Sequence, residues 1–464
     1  MVRPMSQLTA LLGWLLFPVL ALTQFVDVRR GVIGPAWLWG FQLFMFAGLV
    51  VVTAAWLWTR RRDLPAVAWV VGGLFLTILV WGAIRVPYNL NPHSYAKVSP
   101  EFAPPAYQFV PDIYREVPLL IAGVTLLAAW GCLLVIPAAR RFDRVWALGW
   151  LVLVTSLLSW GRALITRGEV RLTTGMGGAA TVHLVFLTTL ALFLGAWRAG
   201  HHRRWSLAGA AVSIACLLCT QSRAGLVSLV VLAVLVVGWW GRGRIGRLPL
   251  LVGLGAAVAI GAVVTLVPSL SRLLHFSDGP RLTNLRTGLR IWNLDWTSRL
   301  VGAGPGKVWP WYGFDAKFYL PPWHSQMITP YGTALSNPHS VYLGTLVEYG
   351  VLGLALMLVV LVAPVVATLR RRGADPRRTM VALALAAGLT SMAFDHYLFK
   401  NFSVSLWWWL LVGLMLCSWG DGERAQTPPG EDEVDDPASS SESSPAASAS
   451  ASRSSSASAA PPRP

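Results

Sequence analysis

The sequence predicts an all-α polytopic membrane protein. Of its 464 residues, 55% are hydrophobic and only 13% are charged, whereas a soluble domain carries about 25% charged residues. The mean hydropathy is +0.56. Apolar runs of roughly twenty residues, the length that a helix needs to cross a bilayer, recur along the chain. No separate soluble domain of useful size is expected.

These runs predict about twelve transmembrane helices within a membrane domain that covers residues 1–419. The first run lacks a small-residue cleavage site, so we interpret it as a span and not as a signal peptide. The predicted spans lie near residues 8–25, 36–58, 64–84, 117–138, 145–165, 179–197, 205–220, 224–240, 248–267, 341–369, 380–397 and 402–419.

Arginine clusters set the predicted orientation. They fall at every second connection, at residues 60–62, 140–144, 198–204, 242–247 and 370–378. Cytoplasmic loops carry such an excess of basic residues, so both termini are expected in the cytoplasm. Arg29 and Arg30 are an exception, because they lie in the first outward connection, where the rule expects few basic residues. Because the clusters serve topology, the net charge of +17 does not indicate a nucleic-acid partner.

Two outward connections, 85–116 and 268–340, are longer than ordinary connectors. The second is rich in Trp and Tyr, which argues against disorder. Its aromatic residues suit either an interfacial belt or a surface that stacks on sugar rings or covers lipid. After Gly420 the chain becomes acidic and then Ser/Ala/Pro-rich, so the tail 420–464 is predicted to be disordered in the cytoplasm.

Metal and nucleotide chemistry are not indicated. The four cysteines lie inside apolar runs without metal-ligand spacing, and we interpret them as packing residues. The chain contains no P-loop, no GxGxxG after a strand, no HExxH and no GxSxG. We therefore expect no cofactor and no metal.

The outward arginines require an explanation other than topology. Arg223 lies between two apolar runs with almost no polar loop, where a guanidinium either snorkels to the interface or binds an anion such as phosphate. Arg281, Arg286 and Arg290 form a second group. On a helix, Arg286 and Arg290 would share a face, which favours a shared phosphate over a solvated surface. The following glycine run, 302–306, indicates a turn or, weakly, an anion-binding nest.

A histidine marks the end of the second long connection. Asn337 suits an N-cap and Pro338 suits the first helical position, which places His339 in the first turn. The helix dipole disfavours imidazolium there, so His339 would stay neutral, as a general base requires. The alternative is an interfacial histidine that only satisfies its own hydrogen bonds.

Two other polar groups are related to this histidine. One is close to it in sequence, and the other is predicted to lie in the same leaflet. Glu348 is half a helical turn out of phase with His339, so we expect it to pair with another helix. Asp395 and His396 form a weaker polar pair near the outer end of the span 380–397.

Three motifs together resemble those of the O-antigen ligase and O-antigen polymerase superfamily. They are Pro338-His339-Ser340 with Glu348-Tyr349-Gly350-Val351-Leu352-Gly353-Leu354, then Ser222-Arg223-Ala224-Gly225, and an Arg/Trp segment that runs into Gly302-Ala303-Gly304-Pro305-Gly306. The resemblance covers residues 145–369. It implies a metal-independent glycosyltransferase of C-type architecture in the bacterial inner membrane, with its active site facing the periplasm.

The resemblance also implies substrates and roles. The donor would be a glycan on undecaprenyl pyrophosphate, and the acceptor a sugar of lipid A–core or another glycan acceptor. Arg223 and either Arg286 or Arg290 would hold the pyrophosphate, while His339 would activate the acceptor hydroxyl. Accessory candidates are Arg281, Trp292, Asn337 and Glu348. A polymerase that uses the same donor is the alternative within the superfamily. A lipid-linked sugar transporter is the alternative from another class, but its paired discontinuous helices are not visible in the sequence.

Overall fold

A computed structural model describes residues 64–85, 117–240, 255, 279–306, 308–309, 317–318, 326–329, 331–335, 337–371 and 375–417. The predicted spans 8–25 and 36–58, nearly all of 248–267, and the tail 420–464 lie outside these ranges.

The described chain is mostly helical. Its helices are α1 (Ala66–Arg85), α2 (Val117–Val135), α3 (Arg141–Arg167), α4 (Ala179–Arg198), α5 (Arg203–Cys219), α6 (Arg223–Trp240), α7 (Gly279–Trp292), α8 (Trp296–Val301), α9 (Val341–Leu369), α10 (Pro376–Ser391), α11 (Tyr397–Lys400) and α12 (Phe402–Leu416). Three short strands, β1 (Lys317–Phe318), β2 (Gln326–Thr329) and β3 (Gly332–Leu335), lie between α8 and α9.

Within the described ranges, five helical segments are long and apolar enough to cross a membrane: α1, Ala138–Arg167, α4, α6 and α9. Two shorter apolar helices, Ala122–Leu134 and Phe402–Leu416, accompany them. The fold class, a polytopic helical membrane protein, is therefore confirmed, and the number twelve stays a prediction. One boundary was wrong, because α10 ends at Ser391 and the polar pair of the predicted span 380–397 lies in the following loop.

The core is built around α4 and α12. Both helices are apolar on all sides, as is expected of helices enclosed by others, and α12 buries three consecutive tryptophans. Polar atoms inside the bundle pair with each other, because a hydrocarbon environment offers no water. Trp407 Nε1 donates to Thr188 Oγ1 at 3.0 Å, and the hydroxyls of Thr125 and Ser405 are 2.9 Å apart.

The helix α9 is interrupted at Gly350, whose backbone is left-handed at φ 71° and ψ −170°. A Cβ at Gly350 would lie 2.3 Å from the Leu300 carbonyl oxygen. A Cβ at Gly302 would similarly lie 2.3 Å from the backbone of Glu348. Glycine is required at both positions, since the end of α8 presses directly against the break.

The described parts of the long connection before α9 include a small unit that packs on α9. Its strands form an antiparallel sheet in the order β1-β2-β3, in which Gln326 pairs with Leu335 and Thr329 with Gly332. The unit shares a hydrophobic cluster with α9: Ile291, Ala303, Val308, Trp309, Ala334, Leu343 and Val347. Part of the predicted aromatic loop is thus packed onto the beginning of a membrane span. Its other aromatic residues at 311, 312, 319 and 323 lie outside the described residues.

Candidate functional site

His339 precedes α9 and does not lie in its first turn. The N-cap is Ser340, whose Oγ accepts the Leu343 backbone N–H at 3.2 Å, and not Asn337 as predicted. The Asn337 side chain instead closes a turn by accepting the His339 N–H at 3.3 Å. The prediction failed because three of four successive residues, Asn337, Pro338 and Ser340, are all favourable at a helix start.

The backbone of His339 is left-handed, with φ 50°. Such a conformation costs a residue with a Cβ about 1–3 kcal/mol and persists only where the surrounding structure enforces it. His339 lies directly before the N-cap of α9.

Asn284 of α7 enforces this loop conformation. Its side chain is buried. Its Nδ2 donates to the Pro338 carbonyl at 2.8 Å and to the Asn337 carbonyl at 3.4 Å, and its Oδ1 accepts the Leu335 N–H at 3.1 Å. The arginine-bearing helix and the histidine loop are thus joined by one amide. Sequence reasoning missed Asn284, because its partners lie about fifty positions away along the chain.

Replacing Asn284 by alanine is expected to destabilise this junction. The Pro338 carbonyl would be left buried without this bond, at about 1–3 kcal/mol, and the Leu335 N–H would lose its bond to Asn284. We expect a lower thermal unfolding temperature in detergent. Asn293→Ala, an exposed change just after the same helix, is the matched control. Equal unfolding temperatures for the two variants would contradict the assignment.

The loop after α10 is hydrogen-bonded to the beginning of α9. The Val341 N–H donates to the carbonyls of Met392 at 2.8 Å and Asp395 at 3.0 Å. His396 is buried beside the first turn, so that a Cβ at Gly344 would lie 2.6 Å from its Nε2. The pair Asp395-His396, predicted only to share a leaflet with His339, therefore adjoins the helix start.

Arg223 opens α6 behind a strained turn. Gln221 is left-handed at φ 49°. Ser222 caps the helix, since its Oγ accepts the Gly225 N–H at 3.2 Å. The same oxygen lies 3.1 Å from Nδ1 of His183, a fully buried histidine of α4.

The same turn is also supported by Arg171, which lies in the connection between α3 and α4. Arg171 donates through Nε to the Thr220 carbonyl at 3.3 Å and through Nη2 to the Gln221 carbonyl at 3.4 Å. Sequence reasoning missed both Arg171 and His183. An ionisable residue inside a predicted span is a functional signal in itself, and His183 provided one.

The first turns of α4 contact both the loop after α10 and the turn before Arg223. Thr181 donates its hydroxyl to the Asp395 carboxylate, and His183 is hydrogen-bonded to Ser222. The loop after α10 and the turn before Arg223 are therefore both hydrogen-bonded to the N-terminal end of α4. The structure thus brings His339 and Arg223 to the same end of the bundle.

The arginines of α7 differ in their surroundings. Arg290 donates Nη1 to the Tyr331 carbonyl at 3.0 Å and so supports the β2–β3 hairpin. Arg286 is exposed and makes no hydrogen bond or ion pair within the described part of the chain. By helical phase it lies opposite Asn284. Arg281 lies one turn before Asn284 and is half-buried. Of the two predicted phosphate ligands, Arg286 has the more available guanidinium.

Trp292 and Glu348 have structural contacts. Trp292 Nε1 donates to the Arg299 carbonyl at 3.0 Å and joins α7 to α8. Glu348 accepts the Gly306 N–H on Oε1 at 3.3 Å, so it contacts the glycine loop, and its pairing with another helix stays a prediction.

The anion-nest interpretation of the glycine loop was wrong. The N–H groups of Ala303 and Gly304 donate to the carbonyls of Val347 at 2.8 Å and Glu348 at 2.9 Å. With Gly306 bonded to a carboxylate, these donors are used for packing. The carbonyls of Val301 and Gly302 accept hydrogen bonds from Arg85 at 2.6 and 2.8 Å.

The apolar spans define an integral membrane protein, and the candidate residues Arg223 and His339 lie next to helix starts at one end of its bundle. A family model described as O-antigen ligase matches residues 208–358. The match covers about a third of the chain and confirms the predicted resemblance to this superfamily for that segment. It contains Arg223, α7, the glycine loop and His339. A search of curated proteins finds no match.

Proposed function

We propose that the protein is an O-antigen ligase-like glycosyltransferase. It would transfer a glycan from undecaprenyl pyrophosphate to an acceptor hydroxyl, with lipid A–core as the acceptor. The observation that carries the proposal is the family match, because the matched segment contains the two strained positions, the turn before Arg223 and the loop at His339. Strain of this kind is concentrated at functional sites.

The chemistry requires a stabilised leaving group and a base. The acceptor oxygen forms a bond to the anomeric carbon as the bond between that carbon and the phosphate oxygen breaks. Arg223 and Arg286 would stabilise the negative charge that develops on the departing pyrophosphate. His339 would take the proton of the acceptor hydroxyl. The proposed roles of Arg290, Trp292 and Glu348 are supporting ones, in line with their contacts.

The location follows from the same proposal. The protein would lie in the bacterial inner membrane with both termini in the cytoplasm and the site facing the periplasm. There it would meet donors and acceptors that are both held in the bilayer.

Purified protein in nanodiscs should convert donor and lipid A–core into a larger glycolipid and free undecaprenyl pyrophosphate. The assay would separate the products by gel and quantify the released lipid. Longer glycans on undecaprenyl pyrophosphate without use of lipid A–core would indicate a polymerase instead. Movement of intact donor between leaflets without any transfer would indicate a transporter and refute the proposal.

A further inference from the structure

The helix α9 is longer than a bilayer requires. Its 29 residues reach about 43 Å at 1.5 Å per residue, against a hydrocarbon core of about 30 Å. Residues 351–369, which follow the break, reach about 28 Å alone. That part exposes apolar side chains such as Leu352 and Val359, whereas every residue of 341–350 is buried or half-buried. The part after the break therefore matches the hydrocarbon core in length, and the part before it is the excess.

Helices α7 and α8 are packed against this upper part of α9. A Cβ at Gly288 would lie 3.1 Å from Leu343 Cδ1. Ala303, just after α8, donates to the Val347 carbonyl at 2.8 Å. Both contacts are made before the break, so α7 and α8 pack on the part of α9 that exceeds the length of the hydrocarbon core.

The face of α7 that points away from α9 is apolar. Leu282, Leu285 and Leu289 are 48%, 41% and 38% exposed, and their spacing places them on one stripe. Trp296 of α8, 72% exposed, adds a large apolar surface. Aromatic residues of this kind are enriched at membrane–water interfaces.

Positive charge borders the apolar stripe. Arg286 and Arg290 follow Leu282 by one and two helical turns and are both exposed. The sequence of α7 contains no acidic residue. An apolar stripe flanked by arginines is typical of helices that lie in the plane of an anionic membrane surface. Each arginine can keep its stem on the acyl chains and its guanidinium at the phosphates.

We propose that α7 and α8 lie on the leaflet next to the candidate site and bind its anionic phospholipids. The leucine stripe rests among the upper acyl segments, and Arg286 lies at the level of the lipid phosphates. This surface would bind bulk lipid whether or not the proposed glycan transfer occurs. If the transfer does occur, the same depth brings Arg286 to the plane in which a lipid-linked pyrophosphate lies.

The test is a depth measurement on full-length protein in vesicles. Nitroxide labels at Leu285→Cys and Leu289→Cys would be compared by their accessibility to oxygen, which partitions into lipid, and to a water-soluble nickel chelate. Leu352→Cys in α9 serves as the lipid-facing reference and Arg204→Cys in α5 as the aqueous reference. Each variant would be made after replacing the four native cysteines by alanine and verifying accumulation in the membrane.

Labels at both α7 positions should favour oxygen over nickel, as the label at Leu352→Cys does. In vesicles of phosphatidylglycerol they should lie deeper than in phosphatidylcholine, and Arg286→Gln should remove most of this difference. Inorganic pyrophosphate added to phosphatidylcholine vesicles should not move the labels deeper, since the ligand is a lipid headgroup and not a free phosphate.

Two outcomes would overturn the proposal. The first is an aqueous profile like that of the label at Arg204→Cys, and the second is equal depth in the two lipids. Transfer activity, measured separately on the same variants, distinguishes this failure from a failure of the proposed function.

Discussion

The variant His339→Asn is expected to lose glycan transfer while still accumulating in the membrane. Asparagine tolerates the left-handed backbone that His339 adopts at φ 50°, so the change removes the base and keeps the loop. General-base catalysis contributes about 10²- to 10⁴-fold to a rate, and we expect a loss of transfer in that range. His339→Ala should also be inactive, and alanine should in addition destabilise the left-handed backbone at this position.

The chain offers a matched control for this variant. His202 is also left-handed, at φ 40°, and it caps α5. His202→Asn therefore makes the same chemical change in the same backbone conformation away from the candidate site, and it should leave transfer near normal. Transfer by His339→Asn at the level of His202→Asn would remove His339 from the mechanism.

The variant Arg223→Ala is expected to show the second largest effect. Loss of a preorganised donor to a developing negative charge costs about 10²- to 10³-fold in turnover. Arg223→Lys keeps the charge but not the planar fork that binds phosphate in two places, so it should also be impaired by at least about 10-fold. The turnover number and the donor KM would be measured with purified protein.

Arg203→Lys is the control for this pair, because Arg203 begins α5 as Arg223 begins α6. Both substitutions place lysine at a helix N-terminus, so any general effect of that change appears in both. The Ser222 cap and its bond to His183 do not involve the Arg223 side chain, and the turn should stay intact. Near-normal donor KM and turnover in Arg223→Ala would refute the phosphate-binding role.

Features encoded locally were predictable from the sequence. The apolar run at 341–369 predicts the bounds of α9, and the run at 179–197 predicts α4 to within a residue. Arg223 stood out because a charge between two apolar runs has few explanations. Each of these inferences depends only on neighbours along the chain.

Features that depend on contacts between distant segments were not predictable. The brace by Arg171 joins residues that are about fifty positions apart, and so does the bond from Asn284 to Pro338. The N-cap was misassigned for a similar reason. Asn337 and Ser340 are equally good caps by type, and the choice between them is made by Asn284 of α7 and by Met392 and Asp395 of the loop after α10.

The break at Gly350 has a consequence for how the protein adapts to different membranes. A continuous helix that meets a thinner bilayer tilts as a whole and carries its end with it. In α9 the end that follows His339 is tied to α7 and to the loop after α10, and the glycine break separates it from the rest. Residues 351–369 can therefore change their tilt while Ser340 and His339 keep their orientation. Hydrophobic mismatch would be absorbed below the break, and the geometry of the candidate site would not depend on the thickness of the bilayer.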